Sequence, residues 1–324
     1  MKISTLLLAA APALLAQTGA QLPAPGFHHL HLNATNPEAA IDFYTRQFPS
    51  TSKATVAGLP ALKAGNVYVL FNKVNTPPLN QNPQSALWHF GWHVTDVQKS
   101  RALYQERKVK LLPLYTTDEG GFVYTSGDTW PGVGGSLGLT KAQIADAKAK
   151  GVQPAHGAGF AYLEGPDGAI VEYQGNMPAE RFNHVHLFQD HPFCAQLWYQ
   201  QHLNAPVPAT PNRAPYTQAN CKVPRPELGW PSLEQRGMLR QPAGVNFDNV
   251  AITWHVQQNE TPLVTSRGHV ADHYALQVAN LDAWIAKLRA EGVQFLEQPY
   301  KLGDMRAVMI EGPSKAAIEL VEVR

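Results

Sequence analysis

The chain has 324 residues, of which 44% are hydrophobic and 16% are charged. That length is enough for two domains with full cores, and the low charged fraction excludes long, highly charged disordered segments. The 26 basic and 25 acidic residues leave a net charge of +1, which excludes the strongly basic surface typical of nucleic-acid-binding proteins. We therefore expect a globular protein whose partner is a small molecule and not a nucleic acid.

The first twenty residues have the pattern of a secretory signal peptide. Lys2 precedes an apolar run over residues 3–16, and small residues follow up to Ala20. The run is shorter than the roughly 20 residues that a membrane-spanning helix needs, and no other stretch approaches that length. We expect cleavage after Ala20 and a protein that is secreted or periplasmic, with no membrane partner.

Export bears on the two cysteines, Cys194 and Cys221, which lie 27 positions apart. Two cysteines can form a disulfide in an oxidising compartment, whereas the alternative is a pair of buried free thiols. The sequence leaves both alternatives open. Neither cysteine lies in a spacing typical of a zinc site.

The chain repeats itself in the order A-B-A′-B′. The segment FHHLHL at residues 27–32 returns at an offset of 155 as FNHVHL at residues 182–187. A second kind of unit opens at residues 88–96, closes at residues 164–172, and is echoed at residues 272–278 and 311–319. A duplicated pair of units accounts for this order, and it predicts four units of strand, helix and further strands.

In the first unit, residues 29–33 alternate as a strand, Asn36 is a good N-cap, and Pro37 fits the first helical position. The fourth unit predicts a strand from His273, a helix that begins after Asn280, and a stop at Gly292. Further strands are predicted after the helices, at residues 66–71, 160–163, 249–254 and 306–310.

This repeated βαβββ unit resembles the vicinal oxygen chelate superfamily, which includes glyoxalase I, extradiol dioxygenases and bleomycin-resistance proteins. The resemblance rests on a strand-opening histidine, a capped helix, and a Gly-Pro-Asp-Gly turn before Glu172, and it covers residues 27–323. It implies an α+β fold in which four βαβββ modules pair into two cupped mixed β-sheet domains. We expect these domains to be residues 21–180 and 181–324.

The resemblance also implies a divalent metal held by His29, His89 and Glu172. The equivalent residues of the other half form a second possible site and are His184, His273 and Glu319. Three ligands of these types leave coordination positions open; they favour Fe(II), with Mn(II) or Zn(II) as alternatives. Residues 67–71 contain no carboxylate, so a fourth ligand of the glyoxalase I kind is absent.

The first half is favoured as the working one, because Tyr162 lies ten residues before Glu172, as in the extradiol pattern. Met309, the corresponding residue of the second half, cannot donate a hydrogen bond. His156 also matches that pattern. His31 and His93 share strand faces with His29 and His89. We therefore expect His31, His93 or His156 to move protons, and Tyr162 to donate a hydrogen bond to a metal-bound oxygen.

The sequence is thus interpreted as an exported, divalent-metal-dependent enzyme that acts on a small oxygenated molecule. The leading reaction is extradiol-dioxygenase-like cleavage of a diol- or catechol-like substrate. One alternative is a lyase or isomerase that acts through a metal-bound enediolate, and another is a metal-free binding protein of the resistance type. The chain is expected to be a monomer or a homodimer.

Overall fold

The computed structural model describes residues 22–112, 146, 149–151, 160–175, 177–207, 215–224, 243–257 and 261–323. The predicted signal peptide and His156 lie outside these ranges. Within them the chain forms fifteen β-strands and four α-helices, arranged as four successive units.

The first unit consists of β1 (Gly26–Ala34), α1 (Pro37–Gln47), β2 (Thr51–Val56), β3 (Leu59–Ala64) and β4 (Val67–Lys73). The second consists of β5 (Leu87–Val94), α2 (Val97–Glu106), β6 (Leu111–Leu112), β7 (Phe160–Glu164) and β8 (Ile170–Gly175). The third consists of β9 (Arg181–Gln189), α3 (Pro192–Leu203), β10 (Ala243–Phe247) and β11 (Val250–Val256). The fourth consists of β12 (Ala271–Val278), α4 (Leu281–Ala290), β13 (Tyr300–Leu302), β14 (Met305–Glu311) and β15 (Ala317–Glu322).

The predicted helix starts and the predicted stop are confirmed. The side chain of Asn36 accepts a hydrogen bond of 3.1 Å from the N–H of Ala39, and Pro37 opens the helix. Asn280 caps α4 in the same way, and α4 ends two residues before Gly292, whose φ is 73°. Each cap satisfies an N–H that has no partner inside its own helix, which is why the helices begin at these residues.

The predicted α+β fold of two mixed sheets is confirmed, but the units pair differently from the expected division into residues 21–180 and 181–324. One sheet has eight strands in the order β13-β14-β15-β12-β1-β4-β3-β2, so the fourth unit pairs with the first. The other has seven strands in the order β10-β11-β9-β5-β8-β7-β6, so the third unit pairs with the second. The opening strands join antiparallel at the centre of each sheet, with His31 opposite His273 and Gly91 opposite His184.

Helix α1 ties the two sheets together. The ring of Tyr44 lies 5.9 Å from Phe71 in its own sheet, and 6.2 Å and 5.8 Å from Phe90 and Trp92 in the other. The Gly-Pro-Asp-Gly turn adds a polar contact between the first and second units, because Asp167 accepts hydrogen bonds from the N–H and hydroxyl of Thr35. These contacts join the first unit to the second and so link the two sheets.

Cys194 and Cys221 form a disulfide, with their Cα atoms 4.9 Å apart. This bond decides between the two alternatives that the sequence left open. The described helices include none that is both long enough and apolar enough to cross a bilayer.

Candidate metal centres

The seven-stranded sheet brings three histidines and a glutamate together on one face. They are His89 on β5, Glu172 on β8, and His184 and His186 on β9; we call them the seven-strand cluster. All four side chains are buried, and one donor atom of each lies within 4.8 Å of the others. Oε2 of Glu172 is 2.9 Å from Nε2 of His89, 3.8 Å from Nε2 of His184 and 3.9 Å from Nδ1 of His186.

Strand register places these residues. His89 lies opposite His186 across the antiparallel pair β5 and β9, and Gly91 lies between His184 on one side and Glu172 on the other. Since side chains of alternate residues point to the same face of a strand, the two histidines of β9 both reach the cluster.

Burial sets the charge of the seven-strand cluster. It raises the pKa of Glu172 to about 8, although a hydrogen bond with Tyr162 opposes the rise. Burial also lowers the pKa of His184 to about 3, helped by the neighbouring His93 and His255. At neutral pH the cluster without metal is therefore close to uncharged, and the binding of a cation would displace the proton of Glu172.

The eight-stranded sheet carries a second group, the eight-strand cluster, made of His29 and His31 on β1, His273 on β12 and Glu319 on β15. Oε2 of Glu319 is 3.2 Å from Nε2 of His29 and 3.9 Å from Nε2 of His273. One ring nitrogen of each of the three histidines lies within 4.8 Å of the others, and all four residues are buried.

Hydrogen bonds from outside the eight-strand cluster orient its members. Asp272 accepts a hydrogen bond of 2.6 Å from Nδ1 of His273, which leaves Nε2 of that ring free as a ligand. The hydroxyl of Tyr300 donates to Oε1 of Glu319. Burial alone would raise the pKa of Glu319, but the hydrogen bonds and charges of His29, His273 and Tyr300 outweigh it and lower the pKa to about 2. The carboxylate is therefore an anion at neutral pH.

Unpartnered buried atoms show that a cation fits these clusters. Nε2 of His273 and Nε2 of His184 are buried without a hydrogen-bond partner, and Nε2 of His29 and Oε2 of Glu319 have no partner beyond their 3.2 Å contact with each other. Buried polar atoms in folded proteins are nearly always hydrogen-bonded, so converging atoms that lack a partner need another ligand. Imidazole and carboxylate are donors suited to Fe(II), Mn(II) or Zn(II).

The structure divides the predicted ligand sets between the two clusters. His89 and Glu172 meet in the seven-strand cluster, but His29 lies in the other one, so the set His29, His89 and Glu172 does not converge. In the second set, His184 is separated from His273 and Glu319. The cause is the pairing of units: a cup formed by the second and third units draws its histidines from β5 and β9.

Of the predicted proton carriers, His31 is in the eight-strand cluster, while His93 lies on β5 near His184. Tyr162 lies beside Glu172 in the pairing of β7 with β8 and contacts its carboxyl group. His156 lies outside the described residues.

Sequence reasoning missed His186, Asp272 and Tyr300. The signal for His186 is the His-x-His spacing shared by both A-type units, which places two imidazoles on one strand face. For Tyr300 there was no local signal. Met309, the residue that corresponds to Tyr162, pairs with Glu319 in the sheet, but the hydroxyl that donates to Glu319 belongs to Tyr300 on β13, one strand further out.

Neither cluster has a carboxylate at the position that would complete a symmetric set of two histidines and two glutamates. In the eight-stranded sheet, Ala275 on β12 pairs with Glu319 on β15. His31 is the equivalent residue of β1, and it pairs with Leu70 on β4. In the other sheet Gly91 pairs with Glu172, and His186 pairs with Thr253. Leu70 and Thr253 therefore occupy the symmetry-equivalent positions of the two glutamates.

A cavity of about 410 Å³ opens onto the seven-strand cluster, and its lining includes His184, His186 and His93. A second cavity, of about 500 Å³, lies at one end of the other cup. Its lining includes His28 but not His29, His273 or Glu319. Solvent-accessible space thus meets donor residues directly in the seven-stranded sheet.

No protein-family model and no curated protein matches this sequence. Among solved structures, glyoxalase I from Zea mays superposes with a TM-score of 0.58 at 14% identity, over 92% of each chain. A mutant of that enzyme also gives a TM-score of 0.58, at 15% identity and with the same coverage. A Bacillus subtilis protein provisionally named a dioxygenase gives a TM-score of 0.51 at 8% identity, over 93% of this chain and 86% of the other.

The likeness is one of fold. The glyoxalase I-like fold extends over nearly the whole chain.

Proposed function

We propose that this chain is a divalent-metal-dependent enzyme of the vicinal oxygen chelate type, with its working site at the seven-strand cluster. One observation carries the proposal: donor atoms of His89, His184, His186 and Glu172 converge where a cavity of about 410 Å³ reaches the buried histidines. Such a combination of buried ligands and accessible space is what a catalytic metal site requires.

His89, His184 and Glu172 would hold the metal, with His186 beside them. The metal would supply a Lewis acid that binds two neighbouring substrate oxygens and lowers their pKa. Tyr162 hydrogen-bonds with Glu172 and so holds the carboxyl group in place. The amide of Gln174 lies 3.0 Å from Nδ1 of His184 and fixes the orientation of that ring.

His93 is the residue that we propose to move a proton. Burial lowers its pKa, with a smaller contribution from the charge of Arg181, so the ring is neutral and can accept a proton at neutral pH. Its Nδ1 is buried without a partner, and the residue lines the cavity. A base within reach of a bound substrate is the second requirement of enolisation and of diol deprotonation alike.

Oxidative cleavage of a diol-like substrate is the leading reaction. It is supported by Thr253, which stands where glyoxalase-like symmetry would place a second carboxylate, and by the fold likeness to the protein provisionally named a dioxygenase. Lyase or isomerase chemistry is the second candidate, favoured by the higher TM-score with glyoxalase I from Zea mays. A metal-free binding protein is disfavoured because it leaves Nε2 of His184 without a partner.

Export, a monomeric or homodimeric state and the absence of nucleic-acid or membrane partners belong to the same proposal. The Cys194–Cys221 disulfide supports an oxidising compartment, and each cup is completed by units of one chain. Mass spectrometry of the protein recovered outside the cytoplasm should give a chain that begins at Gln21.

The deciding experiment is metal content per chain, measured after anaerobic purification and loading with Fe(II), Mn(II) or Zn(II). His184→Ala should lose the metal of the seven-strand cluster together with turnover in a screen of diol substrates under oxygen. His273→Ala is the matched control, because it removes a histidine of the other cluster and should leave that turnover intact. Wild-type protein that holds no metal under any of these conditions would refute the proposal.

A further inference from the structure

We propose that the cavity on the seven-strand cluster accepts a small polyhydroxylated carboxylate, and that Arg181 binds its carboxylate group. This inference rests on the proposed function and narrows it, since it replaces a catechol-like ring by a hydroxy acid. It is drawn from the residues that line the cavity, which differ from those of the other cup.

The lining is almost entirely polar. Outside the two cluster histidines it consists mainly of side chains that donate and accept hydrogen bonds, namely His93, Gln174, Arg181, Asn183, Asn246 and Asn249. Ala251 is the one aliphatic residue in the described lining, and no phenyl, phenol or indole ring belongs to it. An aromatic substrate would cover these polar groups without pairing them, at a cost in desolvation, whereas hydroxyl groups would pair with them.

Asn183 is the strongest single indication of a polar ligand. Its side chain is only 6% exposed, and its Oδ1 is buried without a partner while the residue lines the cavity. Nδ1 of His93, in the same lining, is also buried without a partner. Two such atoms beside one cavity indicate that a bound molecule supplies their hydrogen bonds.

The other cup differs at the equivalent positions. His28 occupies the position that Asn183 has in the seven-stranded sheet. Tyr68 occupies the position of Ala251, because Tyr68 pairs with His29 as Ala251 pairs with His184. The rings of His28 and Tyr68 lie 5.6 Å apart. One cup therefore has an amide and an alanine where the other has two aromatic rings, although the strands that carry them are repeats of each other.

Arg181 gives the cavity its anion preference. It lies opposite His93 in the pairing of β5 with β9 and belongs to the lining of the cavity. Asp248 is the acidic residue in the lining, but it is exposed, and its Oδ2 accepts a hydrogen bond of 3.1 Å from the N–H of Phe27. Arginine pairs with carboxylates through two parallel hydrogen bonds, which suits a substrate acid group.

The test uses the mature, metal-loaded chain and three probes: D-gluconate, the uncharged polyol D-glucitol, and 1,2-dihydroxybenzene. Calorimetry should show gluconate binding more tightly than either of the others. Arg181→Gln should weaken gluconate binding about tenfold and leave glucitol binding unchanged, because only gluconate has a carboxylate that the Arg181 guanidinium can bind. Arg46→Gln, at an exposed position on α1, is the matched control and should change neither affinity.

Asn183→Leu is the second variant, and it should weaken gluconate and glucitol binding together. The inference is overturned if 1,2-dihydroxybenzene binds more tightly than gluconate, if no probe but the aromatic one binds, or if Arg181→Gln leaves gluconate affinity unchanged. Failure of the proposed function would be a separate result, because in that case the wild-type chain would retain no metal. A chain that keeps its metal but prefers the aromatic probe contradicts the substrate class alone.

Discussion

Gly91 and His184 are so close across the antiparallel pair β5 and β9 that position 91 has no room for a side chain. A β-carbon there would lie 2.5 Å from Cε1 of His184 and 2.6 Å from the carbonyl oxygen of Glu172. The backbone oxygen cannot move without breaking the sheet, so the imidazole ring would have to. Glycine at this position is therefore a requirement of the seven-strand cluster.

Gly91→Ala should displace His184 and weaken metal binding at the seven-strand cluster by about tenfold or more, since a moved ligand loses its coordination geometry. The overpacking should also lower the free energy of unfolding by roughly 1–3 kcal/mol. Zn(II) competition titration and urea unfolding measure the two effects. The eight-strand cluster of the same chain is the internal control, and equal loss of metal from both clusters would point to general unfolding instead.

Asp272→Asn should weaken metal binding at the eight-strand cluster by about 10–100-fold. The carboxylate of Asp272 accepts from Nδ1 of His273 and is itself held by the N–H of Gly268, at 2.7 Å, and by Arg267. An amide of the same shape is a weaker acceptor and no longer favours the tautomer with Nε2 free.

Asp282→Asn is the matched control for this change. Asp282 is an exposed carboxylate on α4 that pairs with Arg306, and neither residue belongs to a metal cluster. Zn(II) affinity should be unchanged in that variant. If both variants lose metal equally, orientation of His273 by Asp272 is not the reason.

The raised pKa of Glu172 predicts how the metal-free protein responds to pH. The carboxyl has a pKa of about 8 when folded, against an ordinary value of 4.5. The folded state therefore binds a proton that the unfolded state has already released between these values, and stability falls as the pH rises through this window.

Glu172→Gln keeps the neutral form at every pH. In the presence of a chelator, the variant should be more stable than the wild type, and the difference in melting temperature should widen from about pH 5 to pH 8. Thermal unfolding across this range makes the measurement. A gap that stays constant with pH would mean that Glu172 ionises in the folded protein as it does in water.

Local structure was largely predictable from the sequence. The caps at Asn36 and Asn280 and the strands that carry His29 and His273 follow from short-range preferences of neighbouring residues. The ligand residue types were predictable for the same reason, because repeats at an offset of 155 mark equivalent strand positions. His186 was within reach of such reasoning, since it is spaced two residues from His184 on one strand.

The sequence by itself determined four units of strand, helix and further strands, and it placed a histidine on the opening strand of each and a glutamate on the last strand of two. Only the tertiary structure decided which of them meet. The opening strands are alike, so nothing local distinguishes the partner of β1 as β5 or as β12. That choice depends on packing between residues more than 200 positions apart, such as His31 opposite His273, and it is why His29 and His89 belong to different cups.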